Sequence, residues 1–203
     1  MNDSPKIQLS PFEQQLVTNY EWLLTKNGVL EKIKVLLAAV QVRQQQLLSE
    51  PGLPVAVQHS SAKISRGENY LGLPYLVLDQ PRRFEKDNTF AIRTMFWWGH
   101  FFSITLQLSG SYKEQYTAQL AAAFSDLQEE DFYISHHASE WEHHFGADNY
   151  IPLNKLNEFQ FRQQLQAHPF IKLAKKISLD QWDTIEEKII QPYEVLVGVL
   201  RNS

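Results

Sequence analysis

The sequence predicts an α+β fold. Helical apolar spacing marks both ends of the chain, and between them lie two alternating apolar runs joined by a short glycine-containing turn. Helical and strand segments that come in blocks, rather than in regular alternation, favour α+β over a doubly wound α/β sheet.

The first block, residues 10–50, reads as an αα-hairpin. Ser10-Pro11 suits an N-cap and first helical position, and Phe12, Leu16, Tyr20, Leu23 and Leu24 form a helical stripe. Asn27-Gly28 is the expected stop, with Gly28 in the left-handed position after the helix. A second helix carries Leu30, Ile33, Leu37, Val40 and Leu47, interrupted by Gln44, and Pro51, Gly52 and Pro54 close the unit. Joined by so short a turn, the two helices are expected to pack antiparallel.

Residues 55–135 read as a sheet region with one helix. A buried strand is expected at 75–78, and 66–72 reads as a glycine-containing loop placed to close over a groove. The central feature is a hairpin of 90–98 and 101–108. A three-residue turn, Trp98-Gly99-His100, puts Ile92, Thr94 and Phe96 on one face with Phe102, Ile104, Leu106 and Leu108. The other face then holds Arg93, Met95, Trp97, Phe101, Ser103, Thr105 and Gln107. A two-residue turn would slip the register by one and mix polar with apolar residues on both faces. Beyond Ser109-Gly110-Ser111, a helix over 113–127 is marked by Tyr116, Leu120 and Phe124, and 132–134 reads as a short strand.

The last block, 153–201, is expected to be helical. Ser178 and Gln181 have capping-box spacing, with Trp182, Ile185, Ile189, Leu196 and Val199 following on one face. Pro192 should kink or break that helix one turn earlier.

A chain of 203 residues is long enough for one substantial core, and 43% hydrophobic with 21% charged residues is an ordinary globular balance. The absence of cysteine excludes disulfides, thiolate metal sites and a cysteine nucleophile. The N-terminus lacks a signal-peptide core, and charges interrupt 29–42, the longest apolar-rich segment. A soluble protein with a cytoplasmic address follows, with no membrane partner. The net charge of −4 gives no support to nucleic-acid binding. The short basic clusters, Arg82-Arg83 with Lys86 and Lys172 with Lys175-Lys176, read as solvated surface.

Two places carry candidate chemistry. Arg93 is a mid-strand arginine that needs a partner, either a carboxylate of the protein or an anionic ligand. In the ligand reading, Trp97 and Phe101 are the apolar wall, Ser103, Thr105 and Gln107 the convergent polar groups, and Arg82 an accessory cation. In the alternative, helices cover this face and Arg93 pairs with one of their glutamates or reaches solvent. The second place is 136–144, with four of the chain's seven histidines. Here His137, Glu140 and His143 have H-x-x-E-x-x-H spacing, a ligand set suited to zinc or iron. The competing reading makes Ser139 to Glu142 a capping box that opens a short helix stopped at Gly146. Nucleotide-binding glycine motifs and a G-x-S-x-G elbow are missing. Ser60-x-x-Lys63 lacks the companion motifs of the acyl-enzymes it matches.

The run 75–110, containing FWWGHFFSITLQLSG, together with the later WEHHF, resembles uncharacterised bacterial domains of unknown function. The resemblance implies no activity and assigns no residue role. Three functions stay open: a non-catalytic module for a small, anionic ligand around Arg93, a metal-dependent enzyme built on 136–144, and an interaction module or homodimer. No organic cofactor is expected.

Overall fold

The hairpin read from the sequence lies at the centre of the sheet. The computed structural model describes residues 7–201. Its strands are β1 (Lys63–Tyr70), β2 (Leu73–Phe84), β3 (Thr89–Trp97), β4 (Phe101–Ser109), β5 (Tyr133–Ser135), β6 (Tyr150–Pro152) and β7 (Phe170–Ser178). They form one seven-stranded sheet in the order β1-β2-β3-β4-β7-β5-β6, with every neighbouring pair antiparallel. The helices are α1 (Pro11–Thr18), α2 (Tyr20–Leu48), α3 (Val55–Gln58), α4 (Gly110–Ala122), α5 (Phe124–Glu129), α6 (Glu158–Ala167) and α7 (Ile185–Arg201). The fold is α+β. No helix among the described residues is long and apolar enough to cross a membrane.

Register follows the expected alternation. Arg93 pairs with Thr105, Met95 with Ser103 and Trp97 with Phe101, which fixes the three-residue turn. Ile92, Phe96, Phe102, Ile104, Leu106 and Leu108 are buried in the main core with α2, α4 and α7. Arg93, Met95 and Trp97 face the other way, where, among the described residues, the apolar groups packed on Met95 and Trp97 come from strands and the 136–149 connection rather than from helices.

The N-terminal αα-hairpin is a correction. α2 is one helix of 29 residues that runs straight through Asn27-Gly28. The break comes earlier, at Asn19, whose side chain caps the Trp22 amide. A glycine inside a helix costs about 1 kcal/mol. Burial of Leu30, Ile33, Leu37, Val40 and Leu48 further along α2, at about 1.5–3 kcal/mol for each side chain, easily outweighs that cost. The Ser10 N-cap is present, as a full capping box with Glu13.

Four further elements differ. The expected loop 66–72 is mostly strand β1, leaving only a tight turn at Leu71-Gly72. The helix over 113–127 divides at Ala123 into α4 and α5. The C-terminal block contains β7, an interior strand of the sheet. Its lysines hid an alternation in which Ile171, Leu173 and Ile177 enter the core while Lys172, Ala174 and Lys176 turn to the other face. Ser178 makes no capping bond, and a 3-10 segment, Leu179–Thr184, leads into α7, which continues unbroken across Pro192.

Gln44, the polar interruption in α2, is fully buried and donates to Thr94 Oγ1 at 3.1 Å, while its Oε1 has no hydrogen-bond partner. Thr94→Val should therefore cost about 1–3 kcal/mol by stranding the amide donor. Adding Gln44→Leu should restore stability to wild type or above, as urea unfolding would show. A double variant no more stable than the single one would contradict this account.

Candidate functional site

The face of the sheet away from the helices is covered by the connection between β5 and β6, residues 136–149, which contains no helix. Its backbone is held by side chains of the sheet. The Tyr70 hydroxyl accepts from the His143 and His144 amides at 2.7 and 3.0 Å and donates to Glu142 Oε2 at 3.1 Å. Lys172 Nζ donates to the Glu142 carbonyl, and Gln107 Nε2 donates to Glu140 Oε2 at 2.7 Å. Asn149 Nδ2 donates to the His144 carbonyl. This lateral bonding replaces the expected capping-box helix, for amides bound to Tyr70 need no carbonyl one turn back.

Arg93 finds a carboxylate, though not on a helix. Asp79 is its direct cross-strand neighbour, and the pair is bidentate, Nε to Oδ1 at 2.7 Å and Nη2 to Oδ2 at 3.0 Å. The remaining Nη1 lies 3.2 Å from His143 Nε2. Arginine only donates, so Nε2 accepts and the imidazole proton sits on Nδ1. Burial, with the charges of Lys172 and Arg93, holds His143 well below the ordinary histidine range and keeps it neutral.

Over this pair lies a cavity of about 350 Å³. Tyr70, Tyr75, Val77 and Trp141 wall it, and Ser65, Asp79, Arg93 and His143 supply polar atoms. Tyr75 can lean across β1 because its partner there is Gly67, where a Cβ would fall 2.2 Å from the phenol ring.

Of the residues expected to bind a ligand, only Arg93 lines this cavity. Trp97 and Phe101 are buried in the aromatic cluster behind the cavity wall: Trp97 packs edge-on against Tyr70, stacks on His100 and donates to the Tyr70 carbonyl, and Phe101 meets Phe145 edge-on. Thr105 lies against the Tyr150 hydroxyl, Ser103 is buried, and Gln107 is spent on Glu140. Arg82 shares the face but stacks over Phe84 at 5.8 Å. His137, Glu140 and His143 are not brought together. His137 Nδ1 accepts from the Ser139 amide, Glu140 holds Gln107 and His143 turns to Arg93. Among the described residues, no three His, Asp or Glu side chains are grouped to hold a metal ion.

Sequence reasoning missed Asp79, Tyr70, Tyr75, Trp141 and Lys172. Lys172 is also a correction, since it is 1% exposed rather than solvated. Its ammonium lies 5.7 Å from the Tyr150 ring centroid. Desolvation, then repulsion from Arg93, lowers its pKa to about 7 against the pull of Glu140 and Glu142. The alternation in β7 was the available signal.

The chain matches no family model, and no curated protein or solved structure shows significant similarity to it.

The buried bases set a pH dependence. Between about 7 and 10.5 the unfolded chain keeps a proton on Lys172 that the folded chain has released, so stability rises with pH across that window. The penalty is fully present below the folded value. His143 acts in the same sense: the unfolded state binds a proton below roughly 6.5 that the fold excludes, so acid destabilises further. Chemical unfolding should show this rise from neutral to alkaline pH, and Lys172→Met should flatten it. An unchanged alkaline slope in that variant would refute the assignment.

Proposed function

We propose that the chain is a non-catalytic module that binds a small molecule in the cavity over Arg93 and Asp79. The supporting observation is the cavity itself: aromatic walls around one largely buried, bidentate ion pair, at the small end of the roughly 300–1,000 Å³ typical of ligand sites. A few fixed polar groups in an apolar wall give orientation and specificity.

Asp79 changes the expected ligand. A lone arginine would favour an anion, but here the carboxylate already supplies the counter-charge and accepts two of the guanidinium donors. The best fit is therefore a small planar molecule, neutral or zwitterionic, with an acceptor for Arg93 and a donor for Asp79. Tyr75 and Trp141 would sandwich its ring or flat group. Binding is favoured over catalysis because His143 Nε2 is turned to Arg93, and a general base needs a free lone pair.

The test is thermal unfolding against a panel of neutral, zwitterionic and anionic planar fragments. A ligand at one hundred times its Kd adds about 2.7 kcal/mol to native stability. That gain should vanish in Trp141→Ala, a side chain 54% exposed that the core does not need, and in Tyr75→Ala. Stabilisation by simple anions alone, lost only in Arg93→Ala, would replace this reading with an anion site. Fragment binding indifferent to Trp141 and Tyr75 would sink it.

A further inference from the structure

The N-terminal segment has its apolar surface in the open. No residue of α1 is buried, and the first buried residue of α2 is Leu30. Phe12 and Val17 on α1 are 67% and 72% exposed, and Tyr20, Trp22 and Leu23 at the start of α2 are more than half exposed. The bend at Asn19 sets the two helices around a groove of about 770 Å³, lined by these residues and Leu16. An eight-residue helix without tertiary packing is marginal in water, so a covering partner is expected.

We propose that the partner is a second copy of this chain, with each copy laying its α1 into the groove of the other across a two-fold axis. Three features favour that occupant. The segment is self-complementary, because the projecting ridge of α1 and the groove beside it belong to the same residues, as an isologous interface requires. Next, its charge is low. From Ile7 to Leu24 the charged residues are Glu13 and Glu21, and Glu13 is tied into the Ser10 capping box, so two copies meet with little repulsion. With no lysine or arginine in this stretch, it lacks what draws a surface helix to anionic lipid or to nucleic acid. The apolar side chains are also concentrated. Nine exposed large hydrophobics fall between Ile7 and Leu24, whereas on an ordinary monomer surface such side chains are scattered singly.

Light scattering and sedimentation of the full chain test this proposal. The expected mass is twice 23.7 kDa at micromolar concentration, falling to the single-chain value in Leu16→Glu and in Leu23→Glu. Both sites lie outside the core, so circular dichroism and the urea midpoint at fixed low concentration serve as folding controls. A wild-type mass of one chain at high micromolar concentration overturns the proposal, as does a doubled mass that survives both substitutions. Flotation with phosphatidylcholine vesicles by a wild type that is otherwise monomeric overturns it in favour of a lipid surface. These outcomes leave the Arg93 cavity untouched, so the two proposals fail separately.

Discussion

The bond from the Lys172 ammonium to the Glu142 carbonyl fixes much of what is distinctive in this fold. A sheet with helices on one face must still cover the other, and here the cover is irregular chain. Irregular backbone cannot satisfy its own amides and carbonyls, so the sheet must present donors and acceptors where they are needed. Lys172 and Tyr70 meet that need from two different strands, and Gln107 on a third holds the Glu140 side chain. Because they do, the connection can pass over the sheet without forming a helix, and it brings Trp141 and His143 to the rim of the cavity.

That arrangement carries an electrostatic cost. Arg93 and Lys172 lie on the same face; Arg93 disfavours the charge of Lys172, and both disfavour that of His143. Pairing Arg93 with Asp79 recovers part of the cost, since a bidentate geometry satisfies both partners at once. Lys172 bonds a neutral carbonyl instead, and among the described residues no carboxylate pairs with it. Its proton is therefore weakly held. A buried lysine with a carbonyl acceptor makes the cover both directional and dependent on pH.

The sequence made local pattern legible and long-range pairing invisible. The hairpin register could be read because alternation leaves one solution that keeps apolar and polar residues apart. Arg93 was conspicuous because a charge in mid-strand demands a partner. Which partner was beyond reach, for Asp79 sits on a different strand beside a register shift and looks in sequence like any acidic residue near a turn. Lys172 was misread for a related reason. Read together with Lys175 and Lys176 it suggests a basic surface, whereas strand alternation separates it from Lys175, which pairs with Glu130. The histidine-rich segment misled through spacing. A motif written for a helix has no meaning once the backbone is drawn out along a sheet.

The helix α2 shows how far a local signal can be overridden, and where it still acts. Asn27-Gly28 is a strong stop by propensity, yet the helix passes through it, because the residues that follow are locked into the core. The residues before it bury no apolar side chain there, although Lys26 pairs with Glu68 on β1. From Tyr20 to Asn27 the helix is an arm roughly 12 Å long at 1.5 Å per residue, ending in a bend and a further short helix with no buried side chain. Gly28, with no side chain nearby on any neighbouring element, marks the boundary between the two regimes. On the core side, burial enforces helix. On the arm side, the same apolar spacing is present with nothing to bury it against, and a stripe of that kind is stable only where its surface is shared with another.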